Sequence, residues 1–287
     1  MTVMTRTRFD VVPLSQHIGA EIRGLDLREK PDDDVIRAVY QAWLDHLVII
    51  FPGQKLSQED LIRATGYFGE LGELSRPPKY FPKGYSSLLP GIMLISNIRE
   101  NGEPIGALPD GEMMFHHDMI HSEMPDKATL LYSVEIPSAG GNTLFASGYA
   151  AYDTLDPAIR NKLEGRKAIH HYNYGSVQRG DSKGTEAFGE CAHPVFRTHE
   201  DTGRKAVYVN RLMTVGVEGM PDEESAPLLS AVFDHAEKQE FVYEHVWRLG
   251  DLLLWDNRCS SHARTDFPST ERRLMLRTTV KGAARPY

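Results

Sequence analysis

Short strand-forming stretches crowd the second half of this chain, and their number and spacing constrain its fold more than any other feature. Residues 129–136, 142–146, 207–209, 241–246, 251–255 and 273–280 each read as a strand. Helical patterns interrupt them only at 150–164 and 222–240. A parallel, doubly wound sheet would alternate strand with helix along the chain. This order instead predicts a mainly-β fold with flanking helices, a jelly roll.

The first half prepares the same architecture. Residues 9–27 mix short apolar runs with Pro13, Gly19 and Gly24, which predicts short strands and turns. Val35, Ile36, Val39, Trp43 and Leu44 recur at helical spacing over residues 32–47, and three aspartates at the start favour a helix N-terminus. Residues 46–51 (HLVIIF) read as a buried strand closed by Pro52-Gly53. Ser57 and Asp60 form a capping-box pattern for a second helix ending near residues 66–69. Residues 75–89 and 99–111 are expected to be long surface loops, the second a lid, with a strand at 92–95 between them. No repeat or low-complexity linker divides the chain, so one domain over 1–287 is expected.

Chemistry concentrates in two places. The first is Phe115-His116-His117-Asp118, with Trp255-Asp256-Asn257-Arg258 and then His262, which lies 144 residues beyond Asp118. In an extended strand, residues i and i+2 share a side and sit about 6.6 Å apart. His116 and Asp118 can therefore meet on one metal, while His117 faces away. Two imidazoles and one carboxylate on one face of Fe(II) leave three positions open. Alone, a His-x-Asp pair is weak, since most random occurrences are surface polar residues, and a lone His262 reads as a core histidine. Cys259, three residues before His262, raises a Cys/His nucleophile, which needs an adjacent base oriented by a third group.

The second place is the strand 273–280 (RLMLRTTV). Arg273, Met275, Arg277 and Thr279 share one face. Two arginines on a mostly apolar strand fit either a solvated face or an anion bound inside the barrel, because an unpaired buried charge is costly. Gly140-Gly141-Asn142-Thr143 is explained by a hairpin turn alone, or by a turn that also offers the Thr143 hydroxyl to a carboxylate.

The segments FHHD, EIPSAGGNTLFAS, WDNRCSSH and RRLMLRTTV resemble motifs of the taurine/2,4-dichlorophenoxyacetate dioxygenase family of iron(II)- and 2-oxoglutarate-dependent oxygenases. PLSQHIGAEIRGLDL, HLVIIFPGQ and FGEL extend the similarity over nearly the whole chain. The resemblance implies a double-stranded β-helix of the clavaminate synthase-like type. It implies that His116, Asp118 and His262 bind Fe(II) and carry catalysis. Thr143 and Arg273 would bind the distal carboxylate of 2-oxoglutarate. Arg277 would contact its C1 carboxylate, the acidic group of the substrate, or both. It also implies O₂ as a reactant, hydroxylation of a small anionic substrate, and a homo-oligomer.

The chain departs from the pattern where substrate is chosen. Phe115 replaces a usual Trp, and His117 a usual Thr or Ala. Taurine-specific members carry a His-x-x-Tyr element after FGEL, an Asn four residues before the first ligand and an aromatic three residues after the motif Asp. Here GELSRPPKY, Glu112 and His121 stand there. Taurine is disfavoured, and the ending GAARPY is closer to members acting on phenoxyalkanoates and other small carboxylates. Arg76, Lys79 and His121 are candidate helpers in substrate binding. An alkylsulfonate or sulfate-ester dioxygenase is the alternative, and a non-catalytic metal-binding jelly roll is the alternative of another class.

Composition narrows the partners. The 41% hydrophobic and 25% charged content fits a globular protein. A net charge of −8 argues against nucleic acid or an anionic membrane. Cys191 and Cys259 show no pairing pattern, and neither a leader nor an apolar run of about 18 residues is evident. A reducing cytoplasm is therefore expected.

Overall fold

Strand Val48–Phe51 is apolar at every position because both of its faces are covered. The computed structural model describes residues 9–73, 88–106, 111–173, 176–178 and 187–287. In it, Ile49 and Phe51 point into a cluster with Val39, Ala42 and Trp43 of helix Asp33–His46 and with Leu61 and Ala64 of helix Gln58–Gly66. Val48 and Ile50 point the other way, towards Phe145, Trp255 and Met275. Leu252–Asp256 divides identically, with Leu252 and Leu254 under the helices and Leu253 and Trp255 in the second cluster. Each such side chain contributes about 1.5–3 kcal/mol by its burial. A strand buried on both faces loses the polar–apolar alternation of a half-exposed one.

These strands belong to a seven-stranded sheet in the order Asp10–Pro13, Ala20–Arg23, Val48–Phe51, Leu252–Asp256, Ala128–Glu135, Leu274–Val280, Met93–Ser96. Only the Ala20–Arg23 and Val48–Phe51 pair is parallel. A four-stranded antiparallel sheet, Val242–His245, Thr143–Ser147, Ser260–Arg264, Met113–His116, supplies Phe145 to the second cluster. The two sheets form the expected jelly roll. A further sheet, Ala187–Pro194, Lys167–Asn173, Thr214–Val217, packs through Ala168 and Val217 against helix Asp222–Ala236.

The capping box forms as expected: Ser57 Oγ accepts from the Asp60 amide, and the Asp60 carboxylate from the Ser57 amide. The helical pattern over 150–164 is instead two helices, Gly148–Thr154 and Pro157–Leu163. Asp156 caps the second and Pro157 occupies its first position, where a missing N–H costs nothing. Of the two expected loops, residues 75–87 lie outside the described residues, as do 107–110. The described part of 99–111 carries a small hairpin, Arg99–Glu100 with Glu103–Pro104. No helix among the described residues is long and apolar enough to cross a membrane.

Candidate active site

Strands Met113–His116 and Ser260–Arg264 pair antiparallel with His262 opposite His116, their ring centroids 4.1 Å apart. A register shift follows between His262 and Arg264, a bulge of the kind that re-aims side chains beside sites. One ligating atom from each of His116, Asp118 and His262 lies within 4.8 Å of the others, and all three residues are buried. The expectation that His116 and Asp118 share one strand needs correction. The strand ends at His116, and Asp118 sits in the turn that follows. Met119 closes that turn with φ 57°, left-handed and sparsely populated for a side chain of this size. His117 faces away, its Nδ1 accepting from Asn210 Nδ2 at 3.3 Å and its ring against Tyr208.

The His116 Nδ1–H donates to the Met114 carbonyl at 2.9 Å, which leaves the lone pair on Nε2. His262 Nδ1 has no hydrogen-bond partner among the described residues. Burial pushes both imidazoles below their ordinary pKa, so each is neutral and able to donate a lone pair. Burial works the other way on the Asp118 carboxyl, but the Arg277 charge above all, with the Thr129 hydroxyl, holds it well below the usual carboxylate range. Arg277 lies 3.0 Å from Asp118 Oδ2, and Thr129 donates to the same oxygen at 2.7 Å. Asn257 Nδ2 donates to Thr129 at 3.0 Å, and Trp255 Nε1 to Asn257 Oδ1 at 2.9 Å. The Trp-Asp-Asn motif therefore reaches Asp118 through Thr129, a relay that the motif spacing alone did not reveal. Two neutral imidazoles and one anionic carboxylate fit a divalent iron with open positions.

Arg273 and Thr143 are the candidates for an anion pocket. Arg273 is 2% exposed, so the solvated-face reading fails for it. Its Nε has no hydrogen-bond partner among the described residues, and the Gly141 carbonyl stands 3.5 Å from its Nη2. Burial, then the Arg264 charge, push it down to about 9. A guanidinium does not surrender its proton at neutral pH, so the shift expresses a demand for an anion. Gly141 has φ 65°, and a Cβ there would stand 3.4 Å from Arg273 Nε, so the glycine turn also shapes the pocket. Thr143 is buried, and its hydroxyl accepts from Trp247 Nε1 at 3.1 Å. An indole N–H only donates, so it leaves the Thr143 proton to be offered elsewhere. Trp247 gave no signal in the sequence.

Other candidates fare differently. Cys259 is buried, which pushes its thiol well up, and it groups with His199 and Asp256 rather than with His262 as a nucleophile would. His121 is buried and stacked on Tyr172 at 5.2 Å. Arg76 and Lys79 lie outside the described residues.

Comparison with known proteins follows the same lines. Residues 10–279 match the family described as taurine catabolism dioxygenase TauD, TfdA family. The alpha-ketoglutarate-dependent 2,4-dichlorophenoxyacetate dioxygenase of Cupriavidus pinatubonensis is 30% identical over 278 residues, covering 93% of this chain and 96% of that protein. The alpha-ketoglutarate-dependent sulfate ester dioxygenase of Pseudomonas putida is 29% identical over 284 residues, covering 95% and 89%. The crystal structure of AAD-2 with Mn(II) and N-oxalylglycine superposes with a TM-score of 0.80 at 27% identity, covering 97% of this chain and 98% of that one. On its motifs, its fold and its full-length match, this chain belongs to the TauD, TfdA dioxygenase family.

Proposed function

We propose that this protein hydroxylates a small acidic substrate, with a carboxylate of the phenoxyalkanoate kind the best fit. It is an Fe(II)- and 2-oxoglutarate-dependent dioxygenase that consumes O₂. The observation that carries the reading is the buried, poorly partnered Arg273, whose Nη2 stands 3.5 Å from the Gly141 carbonyl two residues before Thr143, in a chain that also gathers two neutral imidazoles and a carboxylate. In this reading His116, Asp118 and His262 hold the iron, and Thr143 and Arg273 take the distal carboxylate of 2-oxoglutarate.

When bound, the iron supplies oxidising power for C–H hydroxylation coupled to decarboxylation of 2-oxoglutarate to succinate and CO₂. The protein's own contribution is positional. Thr129 and Arg277 fix Asp118, and the Met114 carbonyl fixes the His116 ring. Arg277 is half-buried beside Asp118, so an anion it holds lies next to the ligand group and brings a C–H bond within reach. If that carbon carries an ether oxygen or an amine, the hydroxylated product collapses with C–O or C–N cleavage. A sulfate-ester substrate is the second reading, favoured by the Pseudomonas putida relative, since a guanidinium pairs with either anion. Net charge of −8 supports a small-molecule partner rather than nucleic acid, and two free thiols support a cytoplasmic setting.

Succinate release with 2,4-dichlorophenoxyacetate, an alkyl sulfate and taurine tests the choice. Stimulation by the phenoxy acid above the other two is expected. Stimulation by the sulfate alone moves the protein to the second reading, and no succinate with any substrate, or without one, leaves a metal-binding jelly roll.

A further inference from the structure

We propose that His117, between His116 and Asp118 in the chain, is a positioning residue: through Asn210 it clamps the ligand-bearing turn to the three-stranded sheet and so sets the affinity for iron. The inference rests on the ligand set just proposed and extends it to a side chain that faces away from the metal position.

The turn needs such a clamp. Pairing with Ser260–Arg264 ends at His116, so Asp118 lies past the last ladder partner. Met119 follows with φ 57°, a costly conformation for a side chain of this size, which persists only where the surroundings over-determine it. Thr129 and Arg277 hold the Asp118 carboxylate, not the backbone that carries it. His117 is joined by one peptide bond to His116 and by the other to Asp118. Fixing its ring therefore restrains the backbone of both.

The anchor is well defined. Asn210 Oδ1 accepts from the Met213 amide at 2.8 Å, which leaves Nδ2 as the atom that meets His117 Nδ1 at 3.3 Å. An amide nitrogen only donates, so the neutral ring accepts at Nδ1 and carries its proton on Nε2. Asn210 is itself held: its amide donates to Thr214 Oγ1 at 2.9 Å, and its carbonyl accepts from the Thr214 amide at 3.1 Å. Outward, the His171 amide donates to the Met213 carbonyl at 2.8 Å, and His170 Nδ1 meets the Thr214 hydroxyl at 3.0 Å. Both histidines belong to Lys167–Asn173, the middle strand of the three-stranded sheet. Inward, the Leu212 amide donates to the Phe115 carbonyl at 3.4 Å. The His117 ring also packs 4.8 Å from that of Tyr208, which the Arg197 guanidinium approaches to 4.9 Å. His117, Tyr208 and Asn210 are all buried.

Iron affinity then depends on a hydrogen bond that points away from the metal. The bond from Asn210 is the one described for the His117 ring, since Nε2 has no partner among the described residues. Without it the turn is held from behind by packing alone. The metal must then order its own ligands as it binds, which costs affinity.

The test is anaerobic titration with Fe(II), followed by 2-oxoglutarate titration of the iron-saturated protein. H117F keeps a ring against Tyr208 and loses the acceptor. Its Fe(II) affinity is expected to fall roughly tenfold, with 2-oxoglutarate affinity within about twofold of the parent. H117N places an amide oxygen near the position of Nδ1 and should recover Fe(II) affinity to within about threefold of the parent. N210A, at a residue outside the ligand set, should match H117F, and the double variant should be no worse than either single, because both remove one bond. N210A and H117N decide the matter if H117F does not fold. Fe(II) affinity within about twofold of the parent in H117F or N210A overturns the proposal. So does a loss in H117N as large as that in H117F, or additive losses in the double variant. Asp118→Ala is titrated in parallel. If it too keeps full iron affinity, the ligand set itself is misplaced; if only the His117 and Asn210 variants prove silent, the ligand set stands without the clamp.

Discussion

His116, Asp118 and His262, and separately His199, Asp256 and Cys259, each bring three metal-type donor atoms within 4.8 Å of one another in buried surroundings. The two clusters differ in what their atoms are already doing. Asp256 accepts at Oδ1 from the Arg258 amide and Nε, and at Oδ2 from His199 Nε2 and Arg258 Nη2. His199 Nδ1 accepts from the Asp201 and Thr202 amides. Every ring nitrogen and carboxylate oxygen of that pair has a protein partner. In the first cluster the bonds described on Asp118 fall on Oδ2, and the one on His116 falls on Nδ1. Donor identity and spacing are therefore a poor guide to a metal site unless the hydrogen bonds are counted too. The His199 cluster is a structural knot that ties Arg258 to Asp201 as well as to Asp256.

The sharpest way to break this comparison is to delete the carboxylate from each cluster. Asp118→Ala should abolish iron binding and turnover while the fold largely survives, because its partner Arg277 keeps some access to water. Asp256→Ala should leave iron stoichiometry intact in whatever protein folds, but cost about 3–5 kcal/mol, because it removes the carboxylate that accepts from the Nε and Nη2 of buried Arg258 and from His199. Iron titration and chemical denaturation on both variants read the two outcomes. If the variants trade places, the assignment of roles is reversed.

Thr129→Val tests whether the relay from Trp255 and Asn257 matters. It removes the Asp118 hydrogen bond without changing shape, and metal affinity should fall about 10–100-fold, as for other outer-shell partners. Equal affinity would mean that Arg277 alone orients Asp118. A smaller effect belongs to Trp247→Phe. By losing its bond to Thr143 it should raise the 2-oxoglutarate requirement about fivefold and leave that for substrate unchanged.

Acid should act on the histidines packed behind the ligands. Burial pushes His117 down to about 3 and His121 to about 4, below the ordinary value near 6.5. The unfolded chain therefore takes up protons first as pH falls. Stability from these groups is complete above pH about 6.5, erodes below it, and is lost by the folded-state values. The slope is at most about 1.4 kcal/mol per pH unit for each histidine. Denaturation of metal-free protein at pH 7 and pH 5 should show the drop; equal stability at both would mean that the fold accepts these protons.

How much of this could be read in the sequence depends on what each segment buries. HLVIIF and DLLLW announced themselves because both faces of each strand are apolar. Ser260–Arg264 (SSHAR) did not read as a strand at all: its polar residues break the apolar pattern, with His262 packed against His116 and Ser260 donating to the Asp256 carbonyl. Lys167–Asn173 (KAIHHYN) escaped for a related reason, with His170 buried against Thr214. The three candidate ligands and both candidate arginines were legible because motif order survives in the chain. Thr129 and Trp247 were not, since each acts through a long-range contact that no local pattern encodes. The turn at Met119 was hidden as well, because His-x-Asp spacing suits a strand and a turn alike.

The most direct test of the central claim is anaerobic titration of the Fe(II)-loaded protein with 2-oxoglutarate, watching for the weak visible charge-transfer band of the chelate. The account predicts that the band appears and saturates, is absent in Asp118→Ala, and persists in the folded fraction of Asp256→Ala. Iron that binds without any band would contradict the assignment of Thr143 and Arg273 to the co-substrate, and the barrel would then be a metal binder rather than an oxygenase.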